Sequence, residues 1–123
     1  MPVTSDVGPT GAGSEVLRRF YDLTVDSSSE TTIISGDANH IYTVLSILAH
    51  NKHSADQTLF LRFYAEGTGT AVLLLKETIP PNATFVFSDK LVIAGTDELR
   101  VLTSLTDDIN VYCTYIDQQF AAP

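Results

Sequence analysis

The sequence predicts an all-β fold: an antiparallel β-sandwich, jelly-roll-like, of about eight strands, with a flexible N-terminal arm. Three observations lead there. From Val16 onward, turn residues recur roughly every eight to twelve positions, the spacing of sandwiches and barrels. The runs between them are rich in β-branched and aromatic residues and tend to alternate. No stretch carries a convincing helical period.

The arm comes first. Residues 1–15 contain Gly8, Pro9, Gly11 and Gly13 and almost no large apolar group. Such a segment buries too little surface to offset the entropy of ordering itself. The expected organisation is therefore an arm over 1–15, a sandwich over 16–117 and a tail over 118–123. Leu17 to Val25 is ambiguous, because Val16, Leu17, Phe20 and Leu23 also fit a helix opening at Ser14. Tyr21, Thr24 and Val25 favour a strand, with Leu17, Tyr21, Leu23 and Val25 on one face. Thr31 to Ile34 supplies another short strand.

The clearest strand is His40 to His50. Ile41, Thr43, Leu45, Ile47 and Ala49 fall on one face, and Tyr42, Val44 and Leu48 make the other apolar too. This suggests a central strand covered on both faces, or one covered by a neighbouring subunit. After the polar break Asn51 to Asp56, Gln57 to Ala65 places Leu59, Leu61 and Phe63 inward and Thr58, Arg62 and Tyr64 outward. Ala71 to Lys76 returns as the next strand after a glycine turn. Ile79-Pro80-Pro81-Asn82 cannot sit inside a sheet, since consecutive prolines remove ladder donors, so it marks a crossing between sheets or an edge. Thr84–Phe87, Leu91–Ala94, Glu98 to Ser104 and Ile109–Ile116 complete the strands, with Thr106-Asp107-Asp108 as the last turn.

Composition limits the function classes. The chain has 123 residues, and 44% apolar content suits one globular core. Fifteen acidic against seven basic residues leave a formal net charge of −8, the wrong sign for a free-standing nucleic-acid binder. No run approaches the ~20 apolar residues of a membrane helix. Met1 to Asp6 has neither the basic start nor the apolar stretch of a secretory signal.

Candidate chemistry is sparse. Cys113 is the single cysteine, which rules out an internal disulfide and a cysteine-based zinc site. It shares its phase with Ile109, Val111 and Tyr115, and core packing suits it better than catalysis. His40 and His50 stand at opposite ends of one strand, roughly 33 Å apart at 3.3 Å per residue, too far to share a metal. The carboxylate pairs Asp97-Glu98 and Asp107-Asp108 sit beside turns, where Asp serves the backbone. No nucleophile elbow, phosphate loop or dinucleotide motif is present. The expectation is a protein that is not an enzyme and takes no cofactor or metal. Arg18 and Arg19, the one basic pair, and the aromatics Tyr42 and Tyr64 are the candidate partner-binding residues.

Three stretches taken together carry a resemblance. They are His40 to Asn51, then Ile79 to Ile93 with its Pro80-x-x-x-Thr84 turn, and Gly95-Thr96-Asp97-Glu98-Leu99 running on to Ile116. Their order resembles small β-sandwich virion structural proteins of tailed bacteriophages, found as capsid decoration (cement) proteins and as tail or fibre modules. The resemblance implies a non-enzymatic virion subunit, made in the host cytoplasm, that binds and stabilises the head lattice. It also implies a homo-oligomer, with a trimer favoured, whose partners are itself and the major capsid protein or tail proteins, with neither nucleic acid nor membrane involved. A tail, baseplate or fibre module is the alternative. A lectin-like carbohydrate-binding module is a third reading, for which Tyr42 and Tyr64 would be the sugar platforms.

Overall fold

The computed structural model describes residues 3–7, 15–25, 30–67, 69–104 and 109–120. Two antiparallel sheets pack face to face. The strands are β1 (Val3–Val7), β2 (Glu15–Val25), β3 (Thr31–Ser35), β4 (His40–Asn51), β5 (Gln57–Tyr64), β6 (Ala71–Ile79), β7 (Thr84–Phe87), β8 (Leu91–Ala94), β9 (Glu98–Thr103) and β10 (Ile109–Gln119). The large sheet runs β1-β2-β10-β4-β7, with β8 also paired to β4, and the small sheet runs β3-β9-β5-β6. The chain passes repeatedly from one sheet to the other, and this wrapping is that of a jelly roll. β7 and β8 share the far edge of β4, β7 beside Ile47 to His50 and β8 beside Ile41 to Val44.

Every run read as a strand is one, and β2 resolves the helix ambiguity in favour of the strand. Val3–Val7, expected within a flexible arm, is instead a strand that pairs along β2 from Val3↔Tyr21 to Val7↔Leu17. Backbone pairing supplies the order that its composition does not. Glu15, also expected in the arm, opens β2, while residues 1–2 and 8–14, the Asp107-Asp108 turn and residues 121–123 of the expected tail lie outside the described residues. Asp117, Gln118 and Gln119 extend β10.

Two β-bulges correct the expected faces. Between β2 and β10 the register shifts from Asp22↔Val111 to Val25↔Ile109, so three steps along β2 match two along β10. Val16, Phe20 and Asp22 consequently point inward with Val25, while Leu17 is 47% exposed. Between β4 and β10 the shift from Ser46↔Thr114 to Val44↔Tyr115 leaves Leu45 unpaired. Tyr42 and Val44 face inward before the bulge, and Ile47, Ala49 and Asn51 after it. The two apolar faces read along this strand are thus partly one face whose phase changes midway.

The interior is apolar and closely filled, with Phe20, Ile47, Leu59, Leu61, Ile93, Leu99 and Ile109 among the fully buried side chains. The crossing from β6 to β7 carries Pro80 and Pro81, as expected, and is clamped by Asn51, which is completely buried. The Asn51 amide donates to Ile79 O and Ala55 O, both at 2.9 Å, and to Pro80 O at 3.3 Å. Its Oδ1 accepts from the His53 N–H at 2.8 Å and from Gln57 Nε2 at 3.3 Å. Its backbone accepts from Asn82 N–H and donates to Ala83 O. This one side chain lets the chain leave the small sheet without orphaned carbonyls.

Candidate functional site

The outward face of the large sheet is built by cross-strand rows. In the observed register Tyr21, Tyr112, Leu48 and Val86 stand side by side across β2, β10, β4 and β7. Two residues along the strands, Arg19, Thr114 and Ser46 form the next row, whose hydroxyls meet at 3.1 Å between Ser46 and Thr114. Two residues further along β2 and β10, and three along the bulged β4, Leu17, Ile116, Thr43 and Val92 make a third row across β2, β10, β4 and β8. Leu17, Leu48, Val86, Val92 and Tyr112 are all exposed, Val92 at 57%. Glu15, at the margin, is the one carboxylate at the described outward positions of these strands, on a chain of net charge −8. A contiguous apolar face free of like charge is what an assembly contact requires.

One end of this face holds a groove of about 440 Å³ lined by Tyr21, Leu48, His50, Thr84, Asn110 and Tyr112, with Val111 and the largely buried Asp22 at its floor side. His50 Nδ1 is 2.8 Å from Thr84 Oγ1. The Asn110 Oδ1 is buried without a hydrogen-bond partner among the described residues. A buried acceptor without a donor carries a desolvation cost that a donor from outside would relieve.

The outward face of the small sheet has the opposite character. Arg62 and Arg100 lie directly across from one another on β5 and β9, a repulsive placement. Glu30 bridges them, its Oε2 3.2 Å from Arg62 and its Oε1 3.3 Å from Arg100, and it accepts from the Tyr64 hydroxyl. Arg100 also pairs with Glu98 at 2.6 Å and lies 4.0 Å over the Tyr64 ring. Burial alone would raise the Glu30 carboxyl, but the Tyr64 hydroxyl and the two guanidinium groups outweigh it and hold the carboxyl below its usual range. The linkage has a definite sign: a depressed folded value gives stability above the unfolded carboxyl range that disappears as pH falls through the folded value. Glu30→Gln is therefore expected to cost about 1 kcal/mol at neutral pH. It should also flatten the acid limb of stability, as measured by urea melts between pH 7 and pH 3; an unchanged acid limb would contradict the assignment.

A third polar group closes one end of the sandwich. Asp117, buried at the end of β10, accepts from Arg18 Nε at 2.7 Å and lies 2.6 Å from His40 Nδ1. The His40 ring stacks on Tyr42 at 5.6 Å, and Tyr42 meets Tyr115 edge to face at 6.0 Å. The Tyr42 oxygen accepts from the Asp37 N–H at 2.9 Å. Burial raises Tyr42 and pushes Tyr115 up to about 12. An open cavity of about 370 Å³ lies over these side chains. The cluster ties β2, β10 and β4 together and balances the Arg18 charge against Asp117. Among the described residues no group of three or more His, Cys, Asp or Glu side chains could hold a metal ion.

The four expected partner-binding residues therefore separate. Arg19 is exposed on the outward face of the large sheet, 5.8 Å from the Tyr21 ring. Arg18 points the other way, into the inter-sheet cluster. Tyr42 is 4% exposed and Tyr64 7%, so neither offers a face to a partner or a sugar. Tyr42 faces the core because its strand bulges after it, and Tyr64 is covered by Arg100 and Glu30. Leu17, Leu48, Val86, Val92 and Tyr112 were not singled out by sequence. Their alternation was visible, but only the register aligns them into rows.

Cys113 is fully buried on the inward face of β10. Burial pushes its thiol up to about 12. At pH 8 the folded protein is expected to react with a thiol reagent at least about a hundredfold more slowly than the urea-unfolded chain. Equal rates would show that β10 opens readily.

No family model matches the chain, and no curated protein does. Among solved structures it is similar to the pilus subunit of Bacillus endospore appendages, described as a family of disulfide-linked pili. The identity is 12% and the TM-score 0.52, over 95% of this chain and 100% of that one. It is also similar to a pentameric capsid protein from metagenomic phage sequences, at 15% identity and TM-score 0.41, covering 84% of this chain and 60% of that one. A third similarity is to a Clostridium thermocellum xylanase with CBM22-1 and GH10 modules, at 11% identity and TM-score 0.48; the chain covers 24% of that protein. At these identities the pilus likeness shows the fold, and the two lower scores carry no further argument.

Proposed function

We propose that this chain is a non-enzymatic structural subunit of a tailed-phage virion, a capsid decoration (cement) protein that stabilises the head lattice as part of a homo-oligomer. The observation that carries the structural reading is the outward face of the large sheet, where apolar rows lie uncovered and nearly free of carboxylates on a strongly acidic chain. Such a face gains from being covered, and the net charge keeps unassembled copies soluble. The head assignment rests on the resemblance in strand order set out above.

Heads prepared without the protein and then mixed with it test the reading. The wild type is expected to co-sediment with heads, and Leu48→Glu with Val86→Lys, which place charges in one apolar row, to lower occupancy at least about tenfold. Full occupancy by the double variant would reject this face as an assembly contact. Binding to tails alone would assign the subunit to the tail module.

A further inference from the structure

Each row of the outward face complements itself when reversed, with apolar side chains across the outer rows and hydroxyls at the centre of the middle one. We infer that a second copy of this chain covers this face, related by a two-fold axis that lies in the interface, runs parallel to the strands and passes between Thr114 and Ser46. This inference rests on the reading of the face as an assembly contact and names its partner.

The axis follows from the register. Thr114 and Ser46 occupy the middle row on the two central strands, β10 and β4. A two-fold axis between them exchanges β10 with β4, and exchanges β2 with the edge formed by β7 and β8. Each row then lies on the same row of the partner, reversed: Tyr21 meets Val86, Tyr112 meets Leu48, Leu17 meets Val92 and Ile116 meets Thr43. Every pair in this exchange is apolar except Ile116 with Thr43, which can offer its methyl group. Hydroxyls of the middle row meet hydroxyls. A contact in which the same patch serves both copies is isologous, the geometry of a two-fold dimer. This departs from the trimer expected at the outset, whose contacts would join different patches.

Charge gives a second, independent indication. Arg19 sits at the β2 end of the middle row, with no carboxylate bonded to it among the described residues. At the other end of that row, β7 stops at Phe87 and β8 starts at Leu91, leaving the exposed turn of residues 88–90. The two-fold axis carries Arg19 of one copy to this turn on the other, where Asp89 lies, with Lys90 next to it.

Size is adequate. Four strands about 4.8 Å apart and five rows about 6.7 Å apart make a face of roughly 600 Å² per copy. About 1,200 Å² in total is the low end of specific interfaces, so the dimer should form and dissociate with concentration.

Light scattering and sedimentation equilibrium on the full chain, from 1 µM to 1 mM, test this. The expected result is a mass that rises from 13.4 kDa toward about twice that value. Arg19→Asp should weaken dimerisation about tenfold, and adding Asp89→Arg should restore it, because the swap rebuilds the pair in reverse. Far-ultraviolet circular dichroism and melting temperature, expected to be unchanged, show that the variants fold. A monomer at every concentration, a trimer, or a double variant no better than Arg19→Asp overturns the inference. A monomeric wild type whose Leu48→Glu/Val86→Lys variant still loses head binding would remove the two-fold dimer and leave the structural reading intact.

Discussion

Replacing Asn51 with alanine is expected to remove about 4 kcal/mol of stability, the largest loss for any single side chain outside the apolar core. The side chain is inaccessible to solvent and makes five hydrogen bonds through its amide group. Its removal strands the carbonyls of Ile79, Ala55 and Pro80 and the His53 N–H, each worth about 1–3 kcal/mol if left dry, although water entering the gap will recover part of that. Asn51→Asp is a sharper variant. It keeps the acceptor for His53 and Gln57 but turns the donor toward three carbonyls into a second acceptor, so it should be at least as damaging as alanine. Urea denaturation gives the comparison directly. A loss below about 1 kcal/mol for either variant would mean that the β6–β7 crossing holds itself by backbone alone.

Gly36→Ala is expected to cost about 3 kcal/mol, through contact with backbone rather than with side chains. A Cβ at Gly36 would stand 2.0 Å from Gly95 O and 2.6 Å from Asp97 O. Neither atom can swing away as the end of a flexible side chain could. The turn between β3 and β4 would have to lift off the turn between β8 and β9. That motion breaks the Gly36 N–H to Asp97 O bond at 2.9 Å and disturbs the Gly95 N–H to His40 O bond. Gly69→Ala supplies the control, because nothing lies within 4 Å of its added Cβ. It should be neutral or slightly stabilising through the unfolded chain. Thermal melts of the two variants side by side would separate close approach from any general intolerance of glycine replacement.

The strands were legible in the sequence because their runs satisfy propensity and punctuation at once: β-branched stretches bounded by Gly, Pro, Asn and Asp. The faces were less so. A single added residue at Leu45, or between Asp22 and Val25, reverses the phase of everything beyond it, and no local composition announces a bulge. That is why the local period places Leu17 with Val25, and why it offers Tyr42 to a partner although Tyr42 lies in the core. The composition of Val3–Val7 predicts an arm because it lacks large apolar residues. Its order comes instead from a ladder with β2, which is a property of the pair. The outward face illustrates the same limit. Leu48, Tyr112 and Val86 are separated by dozens of residues and become neighbours only when three strands take one register. The Glu30 bridge was invisible for that reason too, since Arg62 and Arg100 are opposed only across β5 and β9.

The position of β10 has a consequence for how the molecule is made. This strand enters the large sheet between β2 and β4, and it pairs with both along nearly its whole length. Until residues 109–119 leave the ribosome, β2 and β4 have no common neighbour, and Phe20, Val44 and Ile47 lack the cross-strand neighbours Cys113 and Tyr115. Folding must then wait for this strand and close contacts about a hundred residues apart, which makes it slow relative to locally connected folds. The nascent chain meanwhile carries unpaired edges. An ordered delay of this kind favours subunits that associate only after the middle of the sheet has been filled.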